Sequence, residues 1–219
     1  MSTRRSFWTA LHLLAMLACL ERAHGQSNLL DNGDDLKVRC AVYGNANENF
    51  VDVTDRLGQL LAQSPNGFLV RPDVLRLTSQ SGNPMSLLIF FDYDGHGHFY
   101  AAGNNGRKIS LGLLIEAAKI DESHHAPLGE PAQSDGDIPV VFAVYGAHEA
   151  FWDVTDPVKK LLQDLPEGFI PHDADMGGDP EYGSTKALVV ISMHDGGYHF
   201  FSTFIDGPKI TKKMLLQAE

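Results

Sequence analysis

Two apolar runs, "LKVRCAVYG" ending at Gly44 and "IPVVFAVYG" ending at Gly146, are rich in β-branched and aromatic residues and close on glycine. Each reads as a strand. After each comes a stretch with the 3.6-residue period of a short amphipathic helix: Val158, Leu161, Leu162 and Leu165 in one, Leu57, Leu60 and Leu61 in the other. Asp156-Pro157 supplies an expected N-cap with proline at the first helical position. "GFLVRPDVLRL" from Gly67 offers a further strand.

The runs "SLLIFFDYDGHGHFYAA" and "ALVVISMHDGGYHFFSTF" each hold two β-rich segments around a glycine-bearing turn, Gly95-His96 and Gly196-Gly197. That places His194 opposite His199, and Tyr93 opposite His98. The closing segments "KISLGLLIEAAK" and "KITKKMLLQA" fit strand or short helix equally. The expected fold class is α+β: two tandem repeats, each a mainly antiparallel β unit with one short covering helix.

The two halves align at an offset of 101 or 102 residues. Ala41-Val42-Tyr43-Gly44 matches Ala143-Val144-Tyr145-Gly146, and Asp52-Val53-Thr54-Asp55 matches Asp153-Val154-Thr155-Asp156. Gly67-Phe68 matches Gly168-Phe169, and Asp94-Gly95 with His98-Phe99 matches Asp195-Gly196 with His199-Phe200. The repeated Asp and Thr residues read as helix caps, and Tyr43 and Tyr145 as half-buried packing residues. Between the halves, "DESHHAPLGEPAQSDGD" has the composition of an exposed linker, and its His124-His125 pair reads as solvated.

At the start, "MSTRR" provides a positive segment and "SFWTALHLLAMLACL" an apolar one, with Ala23 and Gly25 at small-residue exit positions. This is the layout of a cleaved secretory leader. The apolar run is shorter than the roughly 20 residues a bilayer needs. The expected organisation is therefore residues 1–25 signal peptide, 26–36 N-terminal arm, 37–120 first unit, 121–137 linker and 138–219 second unit. The expected protein is secreted, with no membrane association.

Composition is 43% hydrophobic and 21% charged. Removing the leader leaves 14 basic against 27 acidic side chains. Such a surface repels nucleic acid and anionic lipid and favours cationic or mineral-associated partners. Cys40 becomes the only thiol, which excludes a disulfide framework and marks it as a core residue, its counterpart being Phe142. No Asn-x-Ser/Thr sequon occurs.

The order Tyr-Gly, Asp-Val-Thr, Leu-Leu, Gly-Asp-Pro, Lys before an apolar strand, and a hairpin histidine resembles one family. It is the C-terminal domain of unknown function of the DnaJ-like subfamily C member 11 co-chaperones. The second half carries the fuller set: Tyr145-Gly146, Asp153-Val154-Thr155, Leu161-Leu162, Gly178-Asp179-Pro180, Gly183, Lys186 and His199. The first half shows "LRLTSQSGNP" where the Gly-Asp-Pro loop belongs. The resemblance implies a fold. It brings no catalytic residues, and the J-domain is missing, so co-chaperone action is not implied.

Two groups carry candidate metal chemistry. His194 and His199 are a two-ligand seed for zinc, which needs three or four ligands. Asp173, Asp175 and Asp179, with Glu181, form an oxygen-rich, glycine-containing loop of the kind calcium favours, though without EF-hand spacing. No G-x-S-x-G elbow, H-E-x-x-H, phosphate loop or dinucleotide fingerprint is present. The sequence reading is a non-enzymatic secreted protein with a binding or structural role in extracellular matrix, polysaccharide or a mineral-associated scaffold. It assigns no catalytic residue and no resident cofactor, with calcium or zinc the candidates. The alternative is a metal-dependent hydrolase centred on the second half.

Overall fold

The computed structural model describes residues 36–47, 49–64, 66–78, 84–103, 107–120, 128 and 140–216. The leader and most of the arm and linker therefore lie outside the described residues, His124-His125 among them.

Two four-stranded antiparallel sheets dominate. The first has the order β2-β1-β4-β5, with β1 Lys37–Gly44, β2 Val51–Asp52, β4 Ser86–Tyr93 and β5 His96–Gly103. The second has the order β10-β9-β7-β8, with β7 Val140–Ala147, β8 Ala150–Asp153, β9 Ala187–His194 and β10 Gly197–Phe204. A two-stranded piece joins β3 Phe68–Leu69 to β6 Lys108–Ile109, and an isolated bridge, Phe169 to Ile210, holds the corresponding place in the second half. Among the described residues four helices complete the fold: α1 Thr54–Gln63, α2 Leu111–Ile120, α3 Thr155–Asp164 and α4 Lys212–Leu215. The class is α+β with antiparallel sheets. Each half carries two helices instead of the expected one, because the undecided closing segments turn helical after a short bridge.

Both faces of the central strands of each sheet are buried over most of their length. Ala41, Tyr43, Leu87, Ile89 and Phe91 pack under α1 and α2, against Leu57, Leu61 and Leu114. Ala143, Tyr145, Leu188 and Val190 pack under α3 and α4, against Val158, Leu162 and Leu215. The alternate residues from the two sheets meet each other: Cys40, Val42, Leu88 and Phe90 share one cluster with Phe142, Val144, Val189 and Ile191. The result is four layers, helix, sheet, sheet, helix. Phe90 and Phe142 meet edge to face at 5.6 Å, a geometry worth about 0.5–1.5 kcal/mol beyond the area it buries. Bulges at Arg39 and Val141 shift the register of β1 and β7 against their neighbours.

Several local expectations need correction. In both hairpins the two-residue turn is Asp-Gly, with Asp94 and Asp195 at φ 49° and 50° and Gly95 and Gly196 at 77° and 76°. Asp-Gly is a preferred pair where both central residues take positive φ. Tyr93 therefore pairs with His96, Phe91 with His98, His194 with Gly197 and Ser192 with His199. Asp156 and Pro157 are the second and third residues of α3, not its cap and first residue. Pro157 is tolerated there because that N–H has no intrahelical partner anyway. Leu165 lies beyond the helix and is exposed, so it leaves the apolar stripe.

The repeated Asp and Thr residues divide their labour. Asp52 and Asp153 accept the backbone N–H of Thr54 and Thr155, at 2.7 and 2.8 Å, so the aspartates do satisfy a first-turn donor. The threonine hydroxyls instead accept the strand N–H of Ala41 and Ala143, at 2.8 and 2.9 Å, tying each helix start to its central strand. Tyr43 and Tyr145 are fully buried, not half-buried.

Leu128 also departs from expectation. It sits in the stretch read as exposed linker, yet is 1% exposed within the inter-sheet cluster. Its N–H donates to the buried carboxylate of Asp92 at 2.6 Å, and its carbonyl accepts the Tyr198 hydroxyl at 2.5 Å. Arg39 completes the arrangement by pairing with Asp92 at 2.7 Å. A buried carboxylate needs this much compensation. Burial is the main cause that pushes the Tyr198 hydroxyl up to about 12, so it remains a donor at neutral pH.

Glycine in the repeated Tyr-Gly pair has a steric cause. A Cβ on Gly44 would lie 2.6 Å from the Cα of Phe50, and one on Gly146 would lie 2.0 Å from the carbonyl oxygen of Ala150. The returning chain crosses directly over both positions. Gly146→Ala is expected to lower unfolding free energy by about 1–3 kcal/mol, the usual range for overpacking. Gly112→Ala, on a helix with only the Ser110 hydroxyl 4.0 Å away, is expected to raise it by up to about 1 kcal/mol. Urea denaturation of the two variants checks both signs.

Candidate functional site

The structure brings His194 and His199 together, although not across a direct pair. They are diagonal neighbours on one face, and their rings stack at 3.7 Å with planes 10° apart. Stacked parallel rings send their nitrogen lone pairs side by side. Chelation needs lone pairs converging on a point about 2.0–2.1 Å from each nitrogen. Nδ1 of His194 lies 3.6 Å from the exposed Asp195 carboxylate, and its buried Nε2 has no hydrogen-bond partner.

Three of the four acidic residues of the loop are committed. Asp173 accepts the Tyr145 hydroxyl at 2.6 Å, and Asp179 pairs with the buried ammonium of Lys186 at 2.6 Å. Glu181 pairs with Nδ1 of His148 at 2.7 Å and donates its N–H to Asp179 at 2.9 Å. Asp175 is exposed. Among the described residues no three His, Cys, Asp or Glu side chains converge as a metal site, His194, His199, Asp173, Asp175 and Asp179 included. Burial first, then the Asp173 hydrogen bond, push the Tyr145 hydroxyl well above the tyrosine range. It is a fixed donor and not a base. Burial likewise drives the Cys40 thiol far up, with the Asp52 carboxylate adding to it, so Cys40 is an inert core thiol.

A better-formed site lies where the two sheets end side by side. Gly44 of β1 pairs with Ser86 of β4, and Gly146 of β7 with Ala187 of β9. Between these strand ends opens a cleft of about 250 Å³. Its polar lining is Asn45, Asn47, Ser86, His148, Ser184 and Thr185, and Phe151 and Pro84 give it apolar wall. Among the described residues no Lys, Arg, Asp or Glu lines it.

The lining is built by local hydrogen bonds. Asn45 accepts the N–H of Asn47 at 2.9 Å and donates to the Pro84 carbonyl at 3.1 Å, which sets the first-half wall. On the other side His148 sits at φ 52° in the tight β7–β8 turn. Its Nδ1 is held by Glu181, so Nε2 is the ring nitrogen left for anything that enters. The next residue, Glu149, reaches the first sheet instead, accepting Gly103 N–H at 3.2 Å and pairing with Arg107 at 3.4 Å. One turn thus braces both the cleft and the junction of the sheets.

Sequence reading gave no role to His148, Asn45 or Asn47. The available signal was that all three follow the repeated Tyr-Gly pair, where "NAN" and "AHE" diverge into polar residues.

No protein-family model, curated protein or solved structure matches the chain.

The Asp179–Lys186 pair shapes the loop beside the cleft. Lys186 immediately precedes β9, and the residue immediately before β4 is the buried Met85. Lys186→Ala is expected to destabilise the fold by about 1–3 kcal/mol, less than the 3–5 kcal/mol of fully buried pairs because Asp179 can rehydrate. Lys186→Met combined with Asp179→Asn is expected to recover most of that loss. Chemical denaturation of the three proteins provides the check.

Proposed function

We propose that the chain is a secreted, non-enzymatic binding protein of the extracellular matrix, built from two tandem copies of one β-rich unit. The duplication is supported by the common strand order of the two sheets and by the matched Asp-Val-Thr hydrogen bonds at the starts of α1 and α3. Kinship with the C-terminal domain of the DnaJ-like subfamily C member 11 proteins is part of the same proposal. It draws support from the pairing of Asp179 with Lys186, two residues of the resemblance that the fold ties together. Secretion rests on the leader-like first 25 residues. No helix among the described residues is long and apolar enough to cross a membrane.

The observation that carries the binding reading is the uncharged polar cleft lined from both halves. It has hydrogen-bonding groups in place to hold a ligand. The acidic surface suits a matrix rich in cations, such as a polysaccharide or mineral-associated scaffold. A metal-dependent hydrolase centred on the second half would draw on the stacked His194 and His199, and among the described residues no three His, Cys, Asp or Glu side chains are placed to hold a metal.

The test is retention of the purified protein on insoluble scaffolds, namely chitin, cellulose, collagen-associated glycan and hydroxyapatite. Retention on at least one at physiological salt is the expected result. Passage through all of them would contradict the proposal.

A further inference from the structure

Resting on the binding reading, we infer that the cleft between the two sheets is a subsite for one neutral sugar ring, with Tyr182 as its stacking platform. Tyr182 is 97% exposed, the most exposed of the chain's large hydrophobic side chains among the described residues. It is nonetheless held in place. The N–H of Ser184 donates to the Glu181 carbonyl at 3.3 Å, and Gly183 has φ 85°, so Tyr182 and Gly183 are the central residues of a tight turn. Positive φ at the second central residue is the type II pattern that glycine serves. Both ends of that turn are tied to the cleft: Glu181 grips His148, while Gly183, Ser184 and Thr185 line it. The fold thus anchors the backbone of an uncovered tyrosine in the turn whose next residues line the polar cavity, and a large exposed aromatic in an anchored loop marks a contact surface.

The chemistry of the lining selects the ligand. Asn47, Ser184, Thr185 and the free nitrogen of His148 supply amide, hydroxyl and imidazole groups, which suit ligand hydroxyls as both donors and acceptors. With no ammonium, guanidinium or carboxylate among the described residues of the wall, and with net charge −11, an anionic ligand finds no counter-charge there and a repelling field. A flat apolar ligand would strand the polar lining unpaired. A sugar has what remains: hydroxyls around its edge and C–H faces that stack on the apolar body of a tyrosine. The 250 Å³ available also fits. A hexose ring takes roughly 200 Å³, about seven waters at about 30 Å³ each. One ring fills the cleft.

The experiment is an amide-resolved NMR titration of the protein with the methyl glycosides of glucose, galactose, mannose and N-acetylglucosamine. Glucuronate and inorganic phosphate serve as anionic comparators. At least one neutral glycoside is expected to move the Asn47, Ser184 and Thr185 signals with a millimolar Kd, and the anions to leave them in place. Tyr182→Ala should weaken binding about tenfold, and Thr185→Val at least threefold, both with an unchanged melting temperature because both side chains are exposed. The inference is overturned if no neutral glycoside moves these signals, if the anions bind as well, or if neither variant weakens binding. Scaffold retention that persists in the Tyr182→Ala, Thr185→Val double variant also overturns it while leaving the matrix reading intact. Glycoside binding without retention on any scaffold does the reverse.

Discussion

The contact on which the rest depends is the apolar face shared by the two sheets. A four-stranded sheet with helices on one side leaves its other side bare, and "LLIFF" and "ALVVI" are apolar on both. Each sheet here covers the other through Val42, Leu88 and Phe90 on one side and Phe142, Val144 and Val189 on the other. Burying such a side chain is worth about 1.5–3 kcal/mol relative to exposing it. The two halves therefore share one core between their sheets, besides the core each keeps under its helices.

That contact locates the other features. Asp92, at the far end of β4, is carried into the interface and meets Arg39 and the N–H of Leu128, whose carbonyl is taken by Tyr198 from the second sheet. Leu128 is so fastened to both halves. At the opposite end the strands Gly44–Ser86 and Gly146–Ala187 stop, the chains turn away, and the interface opens into the polar cleft. Apolar packing ends where the repeated Tyr-Gly pairs force the chain to double back.

Much of this architecture was legible in the residues. β-branched runs closing on glycine gave the central strands, and the leucine spacing gave α1 and α3. What escaped was decided by tertiary context. The hairpin register follows from Asp-Gly turn chemistry, and centring the turn on the glycines displaced it, so His194 faces Gly197. Leu128 looked like linker because its neighbours are polar. A single leucine becomes buried only when two surfaces close on it. The continuous apolar character of β4 and β9 did signal a sheet covered on both faces, since one-sided antiparallel sheets alternate with polar residues. The cleft was the least legible part. Its described residues come from four separate segments, and three of the four acidic residues that stood out in the sequence are taken up by Tyr145, Lys186 and His148.

Trp152 reports on this account from one side of the interface, because it lies on β8 and the only other tryptophan, Trp8, is in the leader-like segment. The most direct measurement is a urea titration of Phe90→Ala, with the leader removed, followed by Trp152 fluorescence and by far-UV circular dichroism. Phe90 belongs to the first sheet and packs on Phe142 of the second. A shared core requires the fluorescence transition to fall together with the dichroism transition, by about 3–5 kcal/mol as for other buried Phe→Ala changes. A fluorescence midpoint left at its wild-type value, with only part of the dichroism shifted, would show two independent units and contradict the account.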